Sequence, residues 1–91
     1  MIDRLSRWAI VEGTVVDHVP YGLLVRIPSG ETGVVDRALI ADSPTERHDW
    51  PAIGESIAVV GAGYTSAGQL RLSARQSHLS EARTRSAEKE E

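Results

Sequence analysis

Apolar positions along this chain fall into five short runs, each rich in β-branched residues or alternating with polar positions, and each bounded by glycine, proline or acidic residues. The first, Ala9 to Val19, reads as a strand in which Gly13 marks a bulge or a sharp coil. Pro20 has no amide proton to give a ladder, so the chain is expected to turn there. A second strand follows over Tyr21 to Ile27, with Leu23, Val25 and Ile27 on one face and Leu24 and Arg26 on the other. Pro28-Ser29-Gly30-Glu31 punctuates a hairpin into a third strand, Thr32 to Asp36. A fourth is expected over Ser56 to Tyr64. The fifth spans Gln69 to Ser73, with Leu70 and Leu72 inward and Arg71 outward.

The periodicity disappears from Arg37 to Ile53, a long connection for so small a domain, and long connections are often functional. Asp42-Ser43-Pro44 and Trp50-Pro51 break regular structure there, and Pro44 suits the first position of a helical turn after Ser43. Ser73 followed by Gln76 matches a capping box, so a helix is expected from near Ala74. Residues 81–91 carry too few apolar side chains to pack and are expected to fray or be disordered. The pattern predicts an all-β fold: a five-stranded Greek-key barrel of the oligonucleotide-binding (OB) type over residues 1–76 with a short C-terminal helix, and a helical or disordered charged tail over residues 77–91. An SH3-like barrel or another small five-stranded meander fits the same strands.

With 91 residues there is room for one hydrophobic core and little for a deep enzyme cavity. The absence of cysteine removes disulfides, thiolate catalysis and thiolate-bound metal, and suits a reducing cytoplasm. No apolar stretch approaches the roughly 20 residues that span a bilayer, so no membrane association is expected. Net charge is −3. Between Ile10 and Arg75 five arginines stand against eight acids, which sets nucleic-acid binding at a disadvantage unless the arginines share one face.

Five pieces in order carry a resemblance: Gly13-Thr14-Val15, Tyr21-Gly22-Leu23-Leu24-Val25, Gly30-Glu31-Thr32-Gly33-Val34-Val35, Gly54-Glu55-Ser56-Ile57 and Gly68-Gln69-Leu70-Arg71-Leu72-Ser73. Over residues 10–75 this arrangement resembles the S-one domain family, the RNA-binding module named after the largest protein of the bacterial small ribosomal subunit. The resemblance implies a face for single-stranded RNA. It would be built from two aromatics on the second strand, a histidine ending the third, and an acidic and a basic residue flanking the last hairpin. Bases stack on such rings and cations hold the backbone. Here Tyr21 keeps the first ring, Leu24 stands at the second, Asp36 at the histidine, Thr65 at the acid and Gln69 at the base.

Two readings follow. In the first, the chain is a non-enzymatic module that binds single-stranded RNA weakly beside a larger machine such as the ribosome or an RNA-processing complex. Tyr21 stacks a base, Arg26, Arg37 and Arg71 meet phosphates, and Leu24, Asp36 and Gln69 complete the face. In the second, the degenerate barrel binds protein through Leu24, Val34 and Trp50, its acidic surface suiting a basic partner such as a nuclease that it masks. The arginines read equally as solubilising surface charge, Tyr21 as a barrel-rim ring over Gly22, and Trp50 as a plug at one end of the barrel. Trp8 invites the same two readings as Trp50.

Other signals carry less. Gly61-Ala62-Gly63 opens like a dinucleotide fingerprint, but Ser66 ends the match and no βαβ unit surrounds it, so no cofactor is expected and the glycines read as a coil in the fourth strand. His18, His48 and His78 lie on separate elements, which is not metal-ligand spacing. Asp42, Glu46 and Asp49 have no nucleophile or histidine to complete a catalytic set and read as solvated loop charge.

Overall fold

A computed structural model describes residues 7–43 and 45–89, with side chains described to residue 85. The expected turn at Pro44 therefore falls partly outside the described residues, as do the last two residues of the tail. Five strands form: β1 (Ile10–Val19), β2 (Gly22–Arg26), β3 (Thr32–Asp36), β4 (Ser56–Tyr64) and β5 (Leu70–Ser73). They close into a barrel in the order β1-β2-β3-β5-β4, antiparallel throughout except where β3 runs parallel to β5. A helix, α1 (Gln76–Lys89), follows. This is the five-stranded OB barrel.

The core is the inward set of the two-residue period. Val15, Leu23, Val25, Val35, Val59, Leu70 and Leu72 are essentially without solvent contact and pack in one cluster with Ile27, Ile40 and Trp50. Burying such side chains stabilises the barrel by about 1.5–3 kcal/mol each. Two irregularities let the strands coil. β1 gains a bulge between Val15 and Asp17, and β4 shifts register between Gly61 and Tyr64, where Gly63 takes a φ of 98°. The bulge in β1 lies past Gly13, not at it. Gly13 serves packing instead: it is buried, with Val25 and the Arg26 carbonyl pressed against it.

The long connection contains two 3-10 turns, Arg37–Leu39 and Arg47–Asp49, the second of them downstream of Ser43. Trp50 closes the end of the barrel beneath them. The expected C-terminal helix is α1, which runs to Lys89. It docks through one seam: Leu79 and Ala82 are buried with Val60 on the outer side of β4, and Trp8 packs beside them. The Arg85 guanidinium lies 4.4 Å from the centre of the Trp8 ring. Among the described residues α1 thus rests mainly on β4 and β1.

Candidate nucleic-acid interface

Register brings the outward side chains into rows. Leu24 on β2 lies opposite Asp17 on β1 and Val34 on β3, and Val34 lies opposite Arg71 on β5. Their neighbours Leu23, Val35, Leu70 and Leu72 are buried, so this row must face out. A second row runs parallel to it, with Arg26 opposite Thr14 and Thr32. Gln69 is tied to this row, its side-chain Nε2 donating to the carbonyls of Thr32 and Leu70, both at 3.3 Å. At the other end Gly22 lies opposite Asp36. Close approach is needed there, because any Cβ on Gly22 would run into the Val35 carbonyl.

Tyr21 sits at this end of the wall with 54% of its surface exposed. Its carbonyl accepts from the Arg37 amide at 2.8 Å, which fixes Arg37 beside it. Arg26, Arg37 and Arg71 are all exposed, and no ion pair joins any of them to an acid among the described residues. The wall's own acids are occupied locally. The Asp36 carboxylate caps the first 3-10 turn by accepting from the Ala38 amide at 2.9 Å, and Asp17 accepts from the His18 amide at 2.8 Å. The residue standing where the family has its histidine is therefore a turn cap.

Sequence reasoning missed Tyr64. It is half-buried against the core, and its hydroxyl donates to Glu31 Oε1 at 3.0 Å, tying the last hairpin to the β2–β3 turn. Thr65 has a turn role: its Oγ1 accepts from the Gln69 amide at 3.1 Å.

The second reading's three residues are not brought together. Leu24 and Val34 are adjacent and half-buried on the wall, but Trp50 is only 8% exposed and cannot serve as an exposed anchor. Its Nε1 donates to Thr45 Oγ1 at 3.1 Å, its ring meets the edge of His18, and His18 Nε2 donates to the Pro51 carbonyl at 2.7 Å. Asp42, expected to be a solvated loop charge, instead holds the first turn of α1. It accepts from Ser77 Oγ at 2.7 Å, the Ser77 amide at 3.1 Å and Arg75 Nε at 3.0 Å. The Ser77 hydroxyl, and then Arg75, hold the Asp42 carboxyl below its ordinary value.

The same barrel recurs in solved structures. The crystal structure of an a/eIF2alpha–aDim2p–rRNA complex from Pyrococcus horikoshii OT3 superposes with a TM-score of 0.74 at 16% identity, covering 91% of this chain and 53% of that one. The solution structure of GSP13 from Bacillus subtilis gives 0.72 at 18% identity, covering 85% and 61%. The chain has the S-one fold. The intact alpha subunit of aIF2 from Pyrococcus abyssi shares this S-one fold at a TM-score of 0.66 and 18% identity, covering 75% of this chain and 28% of that one. The chain thus spans between about half and three-fifths of the first two neighbours. No family model and no curated protein sequence matches it. No helix among the described residues is long and apolar enough to cross a membrane.

Proposed function

We propose that the barrel is a non-enzymatic module that binds single-stranded RNA through the wall formed by β2, β3 and β5. Tyr21 stacks one base, Leu24 and Val34 give the next an apolar floor, and Arg26, Arg37 and Arg71 neutralise phosphates. Gln69 and Asp36 frame the two ends. One observation carries this reading: an exposed ring stands on the same wall as three arginines that no described acid neutralises, in a chain whose net charge is negative. The rRNA in the Pyrococcus horikoshii complex supports it at the level of the fold. One stacking ring supplies about 1–3 kcal/mol, so the module binds weakly alone and works in the cytoplasm beside a larger ribonucleoprotein assembly of the translation or RNA-processing kind. No cofactor enters this reading.

The competing role, contact with a basic protein partner, keeps only the Leu24–Val34 pair once Trp50 is withdrawn into the core. The two are separated by titrating a short single strand at increasing salt. Three neutralised phosphates give a slope of log K against log salt of about −2, since each contributes roughly −0.7 on a single strand. Tyr21→Ala should weaken binding by at least about fivefold at every salt concentration. Absence of association at low salt would leave the protein-contact reading as the survivor.

A further inference from the structure

Gln69 stands exposed just before β5, at the end of the wall that carries Arg26. Its main chain is pinned by one residue: the Gln69 amide donates to Thr65 Oγ1 at 3.1 Å, and the Gln69 carbonyl accepts from the Thr65 amide at 2.9 Å. The side chain is pinned too. Nε2 carries two protons and donates to two backbone carbonyls, those of Thr32 and Leu70, both at 3.3 Å.

These partners decide which way the amide is turned. Reversed, it would set its own oxygen against two carbonyl oxygens with no proton between them. The nitrogen therefore spends both donors on the chain itself, and Oε1 is left as an acceptor that no donor reaches among the described residues. An acceptor held in this way discriminates between bases. Cytosine and adenine project an exocyclic amino group, whereas uracil has a carbonyl oxygen where cytosine has its amino group. The one ring N–H of uracil is recessed between two carbonyls, so a fixed oxygen meets repulsion on both sides of it. Unstacked bases of a single strand expose these edges to a protein. Arg26 lies opposite Thr32, whose carbonyl anchors the amide, so a cation for the phosphate and an acceptor for the base stand side by side.

We propose that Gln69 reads one base of the strand on the wall, its Oε1 accepting from an exocyclic amino group, so that the barrel selects cytosine or adenine over uracil at that position. This rests on the reading of the wall as an RNA surface and gives that surface a base preference. Because the amide is ordered before the strand arrives, little freedom is lost when the contact forms.

Oligocytidine and oligouridine of about six nucleotides, within the roughly 4–16 that one such barrel covers, isolate the contact at neutral pH, since they share ring size and backbone and exchange an amino group for a carbonyl. The wild-type chain should bind the cytidine strand about fivefold more tightly, the worth of one hydrogen bond. An adenosine strand should exceed one of purine riboside, which lacks the amino group, by a similar factor. Gln69→Met keeps the length of the side chain without its acceptor, so both advantages should vanish. Gln69→Lys presents a donor instead and should turn the preference toward uridine. A merely structural role for Gln69 would weaken all strands alike and leave their ratios as in wild type. If neither amino-bearing strand outbinds its counterpart in the wild type, or if the advantage survives in Gln69→Met, the base reading is overturned and the wall stands. Failure of every strand to bind the wild type at low salt overturns the wall and the base reading with it.

Discussion

The Asp42 carboxylate and Ser77 hold the long connection against the first turn of α1, through one bond to the Ser77 hydroxyl at 2.7 Å and another to its amide at 3.1 Å. This is a helix cap supplied from a distant part of the chain, with Arg75 completing it. Because the folded state holds the Asp42 carboxyl below its ordinary value, its contribution is fully present above about pH 4 and is lost as pH falls through the lowered folded value. Asp42→Asn should therefore narrow the difference in thermal midpoint between pH 6 and pH 3 relative to wild type. An unchanged difference would remove the carboxylate from the account of helix docking.

Gly22 on β2 and Gly33 on β3 differ in what an added side chain would meet. At Gly33 an added Cβ would lie 2.7 Å from Leu72 Cδ1 and 3.0 Å from Leu70 Cγ, both side-chain atoms of a tightly packed core. Overpacking of this kind costs about 1–3 kcal/mol. At Gly22 the obstacles are backbone atoms, including the Val35 carbonyl and the Arg37 amide, and φ is 151°. Gly22→Ala is thus expected to lower the urea midpoint further than Gly33→Ala, and the reverse order would show that the β2–β3 approach is looser than described.

Trp50 is a plug. Removing a buried indole typically costs about 3–5 kcal/mol, a large share of what a domain of this size possesses. Trp50→Ala should lower the thermal midpoint sharply while leaving RNA affinity, measured well below that midpoint, close to wild type. A stable Trp50→Ala chain that loses a protein partner would restore the protein-contact reading.

Leu24 occupies the site of the missing second ring, outward and half-buried beside Val34. On the proposed reading, Leu24→Phe adds a second stacking surface beside Tyr21, so affinity for a short single strand should rise by at least about fivefold, the low end of a base-stacking gain of about 1–3 kcal/mol. Equal affinity in the two proteins would show that bases do not lie over β2.

How much of this was legible in the sequence follows from the range of the interactions concerned. The bounds of β3 and β4 follow directly from a period of two and from flanking glycines and prolines, which are local signals. The outward placement of Leu24, Arg26 and Arg71 follows from the same period. What no local pattern carries is the closure of the barrel. It sets Val34 beside Arg71 through a parallel pairing of β3 with β5, and it brings Trp8 onto Leu79 and Ala82 so that α1 docks on β4. The Asp42 cap, the Tyr64 bond to Glu31 and the burial of Trp50 are likewise tertiary, each linking segments that the sequence keeps apart. Two acids changed meaning for this reason: Asp36 caps a turn and Asp42 caps a helix, so neither is the free charge that a residue count implies.

The central claim concerns which side of the barrel meets RNA, and amide chemical-shift mapping with a short single strand tests it most directly. The account predicts saturable shifts concentrated at Gly22, Leu24, Val34, Asp36, Arg37 and Arg71, with β4 and α1 nearly still. Shifts confined to α1 and the outer side of β4, or spread without pattern over the whole barrel, would contradict it.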